Sequence, residues 1–162
     1  MNKHLWKQQL TPYEADYARW CTEQGALLRG SRLADLDRDN LAEEIESLGR
    51  SQKHEIRSRM KILIQHLLKW EFRPQGRSNS WQSSISEQRT HIAGLLADSP
   101  SLKDFPAEAA VWAYPHARWA ASIETALPEG TLPLQCPYSP TQLLDEAFMP
   151  GEIWTPSKLA RD

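Results

Sequence analysis

Apolar residues in this chain recur every three or four positions and do not alternate over any sustained run, a pattern that predicts helices and no strands. Tyr13, Tyr17, Trp20, Leu27 and Leu28 form the first stripe. Thr11-Pro12-Tyr13-Glu14 before it reads as a capping box with proline at the first helical position, and Gly30-Ser31 closes it. Asp37 reads as the next cap, with Leu36 and Leu41 placed as a hydrophobic staple. From there Leu41, Ile45, Leu48, Ile56, Met60, Leu63, Leu67 and Trp70 share one face at about 100° per residue. Gly49 interrupts this stripe at a cost of about 1 kcal/mol relative to alanine, as a break or a close helix contact. Between Ile62 and Leu68 the apolar residues spread all round, which predicts burial on every side, in the domain centre or between subunits. Arg73-Pro74-Gln75-Gly76 reads as a turn. A third helix follows, capped by Ser78, Asn79 or Ser80, with Trp81, Ile85, Ile92 and Leu96 inward. The fourth starts at Ser99-Pro100 and runs through Leu102, Phe105, Val111, Ala113, Ala120 and Ile123 to Leu127, with Pro106 and Pro115 expected to restart or kink it. After the proline-rich stretch 128–137, Ser139-Pro140-Thr141-Gln142 caps a short helix ending near Phe148.

These elements predict an all-α bundle of about four main helices with a proline-rich loop and a short C-terminal helix. The expected organisation is an extension at 1–10, a single helical domain at 11–150 and a tail at 151–162. A chain of 162 residues has a one-domain length and can bury a core without staples.

Charge adds a second layer. Residues 1–49 hold six basic and nine acidic groups, residues 50–77 eight and two, and residues 78–162 five and ten. The positive charge therefore collects in the middle of the chain, as a polyanion-binding stripe or as partner to the acidic flanks. Two cysteines, Cys21 and Cys136, suit a reducing compartment, with one bridge between them as the alternative. The first ten residues lack the apolar core of a signal peptide, and the apolar run Ile62–Trp70 is too short and too polar for a membrane span. The location expected is cytoplasmic, with no membrane partner.

Several ordered stretches resemble one family. They include Tyr13, Asp16 and Trp20; Leu36-Asp37 with Asn40-Leu41; Glu43-Glu44-Ile45-Glu46 with Leu48-Gly49; and His66-Leu67-Leu68-Lys69-Trp70. Further along stand Ser80-Trp81, Gln88-Arg89, Ser99-Pro100-Ser101-Leu102, Tyr114 with Ala117-Arg118, and Cys136-Pro137-Tyr138 with Leu143-Leu144-Asp145. From about Tyr13 to Pro150 the chain resembles the bacterial family catalogued as domain of unknown function 29. The resemblance implies an all-helical fold and no particular activity. Pro106 and Pro115 depart from the smoother fourth helix associated with that family.

Three kinds of chemistry are open. A polar cluster could form from Asp16, Glu43, Glu44, Glu46, Arg59 and His66. Helical metal sites take ligands one turn apart, yet Glu44, Glu55 and His66 stand about 16 Å apart at each step along one helix. Other helices would have to contribute, through Asp16, Glu87 and His91, or His116 and Glu124. Ion pairs Glu46–Arg50 and Glu55–Arg59 explain much of this face without a metal. Arg59, pointing into the apolar stripe, needs a carboxylate from Glu44, Glu55 or Asp16. His66 reads more readily as a hydrogen-bonded packing histidine, and no metal or cofactor is assigned. The second kind is nucleic-acid binding. Arg50, Lys53, Arg57 and Lys61 line one side of the second helix, Arg73, Arg77 and Arg89 could extend the patch, and Phe72 or Trp81 could stack bases. The slightly acidic whole chain speaks against it.

The third is protein contact. Seven tryptophans are many for this length. Trp20, Trp70 and Trp81 read as core. Trp6 and Trp154 lie in terminal segments, and Trp112 and Trp119 stand seven apart on the fourth helix, as interface rings would. No Walker loop or Rossmann fingerprint is present, and the serines at 78–80 have no strand to make a nucleophile elbow. The leading expectation is a protein-interaction module with a protein partner or a homo-oligomer, rather than an enzyme. Nucleic-acid binding is the alternative, and a metal-dependent helical-bundle enzyme comes third.

Overall fold

The first helix begins later than its sequence signal predicts, because Asp16 rather than Thr11 caps it. In the computed structural model, which describes residues 10–153, five α-helices follow in order: α1 (Tyr17–Arg29), α2 (Arg38–Phe72), α3 (Asn79–Asp98), α4 (Phe105–Thr125) and α5 (Pro140–Leu144). Trp6 and Trp154 lie outside the described residues. No strand occurs among the described residues, and the fold is all-α with four main helices and a short fifth. The chain divides into two compact units between Arg50 and Ser51.

In the first unit the Asp16 carboxylate accepts the Arg19 amide at 3.0 Å from an extended backbone position, as an N-cap does. Thr11 instead donates its amide and hydroxyl to Glu23, at 2.7 and 3.0 Å. Trp20 is buried, its ring edge-on to Tyr13 and stacked on Tyr17, and its indole N–H donates to Asp37 at 3.1 Å. Buried Gln24 accepts the Asp37 amide at 2.9 Å. These contacts tie α1 to the start of α2.

The predicted stripe of α2 does not continue inward through this unit. Ile45 is 66% exposed and Leu48 70% exposed, so the inward face begins only at Ile56. Gly49 neither breaks the helix nor admits a close neighbour. α2 runs unbroken for 35 residues, and a Cβ built at Gly49 meets nothing within 4 Å. Gly49→Ala should therefore stabilise the protein by about 0.5–1 kcal/mol, read as a higher midpoint in urea with an unchanged slope. A lower midpoint would show that the glycine conformation is needed.

In the second unit the later half of α2 is the central element. Ile56, Met60, Leu63, Ile64, Leu67 and Leu68 have no exposed surface, so most of the all-round apolar run lies in the core, but Ile62 is 37% exposed and the predicted burial on every side fails there. The buried residues pack with Ile85 and Ile92 of α3, Ala109, Ala113 and Ala117 of α4, and Leu143 of α5. Small residues on the inner side of α4 permit this close packing. Pro106 sits in its first turn, where the missing N–H costs nothing. Pro115 lies inside α4 without ending it. α5 stops at Leu144, short of the Phe148 expected, after a Ser139–Gln142 capping box. Ser78 caps α3.

Arginines close the helix ends. Arg73 donates to the Thr125 carbonyl at the end of α4, Arg77 to Trp70 O at 2.8 Å near the end of α2, and Arg89 to Leu143 O and Gln142 O at 2.8 and 3.2 Å at the end of α5. Arg118 holds Leu132 O and Glu129 O in the loop after α4. The final carbonyls of a helix lack partners within it, and a guanidinium supplies several donors at once.

Candidate interaction face

α4 carries apolar residues outside as well as inside. Its inner side is alanine, Phe105 and Tyr114. Its outer side reads Glu108, Val111, Trp112, Pro115, His116, Trp119, Ser122 and Ile123, with one charged residue and no lysine. Val111 is 76% exposed, Trp112 41%, Trp119 61% and Ile123 64%. A helix apolar on all sides is normally covered on all sides, and contiguous exposed apolar patches on soluble proteins mark contact sites.

Two supports hold this face in place. On the α2 side, Arg57 pairs with Glu108 at 2.7 Å and lies over the rings of Phe105 and Trp112, 5.3 and 5.8 Å from their centres. His116 stands 5.0 Å from the Trp112 ring, centre to centre. Nearer the helix end, Glu124 receives the Lys69 ammonium at 2.5 Å and the Gln65 amide at 2.7 Å. Burial pushes the Glu124 carboxyl up, but the Lys69 hydrogen bond and charge, with His66 and Gln65, outweigh it and hold it below the usual carboxylate range. Burial lowers His66, whose Nδ1 lies 2.9 Å from Ile62 O. On the other side, Val111, Tyr114, Pro115, Leu134, Cys136 and Tyr138 line an apolar cleft of about 480 Å³. Burial raises the Cys136 thiol, which disfavours the nucleophilic thiolate. The Tyr114 and Tyr138 hydroxyls both donate inward, to Pro133 O and to Glu71.

Lys69 is 6% exposed and Glu124 48%. Glu124→Ala strands a buried ammonium and should cost about 1–2 kcal/mol, whereas Lys69→Met leaves a carboxylate that water can reach and should cost less. Because the folded carboxyl is lowered, its contribution is full above the unfolded value near 4.3 and fades as pH falls through the folded value. Denaturant midpoints of wild type and Glu124→Gln should therefore converge in acid. Equal costs for the two truncations would refute the asymmetry.

The predicted site residues fall into separate settings. In the first unit, Asp16 is a helix cap. Glu44 accepts the hydroxyls of Tyr13 and Tyr17 at 2.5 and 2.8 Å, which lowers its carboxyl and pushes Tyr13 up to about 12. Glu43 and Glu46 both lie by Arg50, at 2.7 and 3.7 Å. In the second unit, Arg59 takes Glu55 at 3.0 Å and Gln88 at 3.2 Å, which supplies the carboxylate it needed. His66 is a half-buried packing histidine beside Glu124. Among the described residues no three His, Cys, Asp or Glu side chains gather in a way that could hold a metal ion. Glu87 and His91 stand 3.8 Å apart as a helical pair.

Of the basic stripe, Arg50 and Arg57 have carboxylates, Lys53 lies 5.3 Å over the Phe105 ring, and Lys61 is half-buried on α2. Arg73, Arg77 and Arg89 point inward to carbonyls, and Phe72 and Trp81 pack against the core, with Lys69 over the Trp81 ring. Arg50 and Arg57 are thus engaged in ion pairs, and Arg73, Arg77 and Arg89 are engaged with carbonyls. Both cysteines are free thiols. Sequence reasoning noticed Trp112 and Trp119 but missed Val111 and Ile123 as exposed. The signal was present in their spacing, which places them on the side of α4 opposite its alanines.

The model of one family, domain of unknown function DUF29, matches residues 12–149. No curated protein and no solved structure matches the chain. No helix among the described residues is long and apolar enough to cross a membrane.

Proposed function

The chain belongs to the DUF29 family, a domain of unknown function, and from its own surface we propose that it is a protein-interaction module that docks through the outer face of α4. The observation that carries this reading is the exposure of Trp112, Trp119 and Ile123 on a helix already buried along its inner side. Large rings at the centre of a contact supply most of its energy, and Arg57 over Trp112 holds one of them in a fixed orientation before any partner arrives. A pre-ordered ring loses less entropy on binding. Two free thiols suit a reducing compartment, which supports a cytoplasmic setting.

The test is association with and without Trp119→Glu. Trp119 is exposed, so the charge leaves the fold intact, as circular dichroism should show. Every protein complex formed by the wild type after nuclease treatment should weaken at least tenfold in the variant. Complexes that survive the substitution unchanged would sink the reading. No observation favours the nucleic-acid alternative over it, since the arginines of the basic stripe are paired with carboxylates.

A further inference from the structure

We propose that the occupant of the α4 face is a second copy of this chain, its α4 packed antiparallel on the first with Trp112 of each copy against Trp119 of the other. The inference rests on the interaction reading and adds the partner and the register.

The residues Trp112-Ala-Tyr-Pro-His-Ala-Arg-Trp119 place the two rings at equal distances from the point between Pro115 and His116. In an isologous pair the same patch serves both copies, and residues equidistant from the two-fold axis meet. An axis at that point brings Trp112 to Trp119 twice and sets Pro115 against His116. It also lays Ile123 beside Glu108, whose charge its own Arg57 already neutralises. No like charges from the two α4 helices are forced together. A parallel pairing would set Glu108 beside Glu108.

The backbone also suits a close approach near the axis. Pro115 has no N–H and presents a flat ring where the helices meet, and the outer side carries no long lysine that would have to be desolvated. From Glu108 to Ile123 the face runs about 22 Å. At about 250 Å² per tryptophan, exposures of 41% and 61% give roughly 250 Å² from the rings of each copy. That is about a third of the ~800 Å² per partner of a stable interface. Val111, Pro115, His116 and Ile123 extend it along the same side.

The experiment has two readouts on the full chain. Sedimentation equilibrium at micromolar concentration should give about twice 18.6 kDa for the wild type, and the monomer mass for both Trp119→Glu and Ile123→Glu. In a Cys21→Ser/Cys136→Ser background, His116→Cys should be joined across copies by a short thiol cross-linker, while Glu129→Cys, in the loop beyond α4, should not. A monomeric wild type overturns the second-copy proposal. If Trp119→Glu then still abolishes a complex with a different protein, the interaction reading survives it, and if it abolishes none, both fall. A dimer that cross-links through Glu129→Cys but not His116→Cys overturns the register.

Discussion

Leu67→Ala should lower the unfolding free energy by about 2–5 kcal/mol, while Leu48→Ala on the same helix should change it by no more than about 0.5 kcal/mol. Both leucines belong to one apolar stripe in the sequence, and only their surroundings differ. Leu67 has no exposed surface and packs in the core of the second unit, whereas Leu48 is 70% exposed. Truncating Leu67 removes buried methyl groups and leaves a cavity that the alanines of α4, already in close contact, cannot collapse to fill. Truncating Leu48 removes surface that water already reaches. Urea unfolding of the two variants settles the matter. A loss above 2 kcal/mol at Leu48 would mean that this half of α2 is covered in solution, and a loss below 1 kcal/mol at Leu67 would contradict its place in the core.

Arg89→Ala should cost about 2–4 kcal/mol, with Arg89→Lys intermediate. Arg89 is 3% exposed on α3 and donates through Nε and a terminal nitrogen to two carbonyls of α5. α5 has only five residues, far below the length at which a helix holds itself together. Its position depends on Leu143 in the core and on these two hydrogen bonds. Alanine leaves the buried Leu143 carbonyl without its donor and frees the Gln142 carbonyl, which is only partly covered. Lysine restores one donor point, without the fork that reaches two. Amide exchange in α5 should accelerate in Arg89→Ala more than exchange in α2. A uniform acceleration would mean that the guanidinium supports the whole unit and not α5 in particular.

The helix count, a cap somewhere in 78–80, the Ser139 capping box, the burial of Trp20 and Trp70 and the core half of α2 were legible in the sequence, because they follow from period and local capping chemistry. Ile45 and Leu48 were not. Periodicity says which residues share a side of a helix, but not whether another element covers that side. The arginines failed for a related reason. Charge counts treat Arg73, Arg77 and Arg89 as surface, yet each reaches a carbonyl, and only tertiary structure brings a helix end within reach. Asp16 drew attention as a carboxylate among glutamates and works as a cap, since Thr11 found a stronger partner in Glu23. The exposed side of α4 was half legible. The two tryptophans stand out by type, but Val111 and Ile123 look like ordinary core residues until the inner side is known to be alanine.

The absence of lysine from α4 also decides how its contacts could be detected. No lysine occurs between Lys103 and Lys158, and Arg118 is the one basic residue in that whole interval. Amine-reactive cross-linkers would pass over the face entirely, and acetylation or ubiquitination of lysine has no target there. Trypsin cuts this interval only at Arg118, so Trp112 falls in a short peptide, 104–118, and Trp119 and Ile123 in a long one, 119–158. Carboxylate-directed reagents acting through Glu108 and Glu124 are the ones that would report on it.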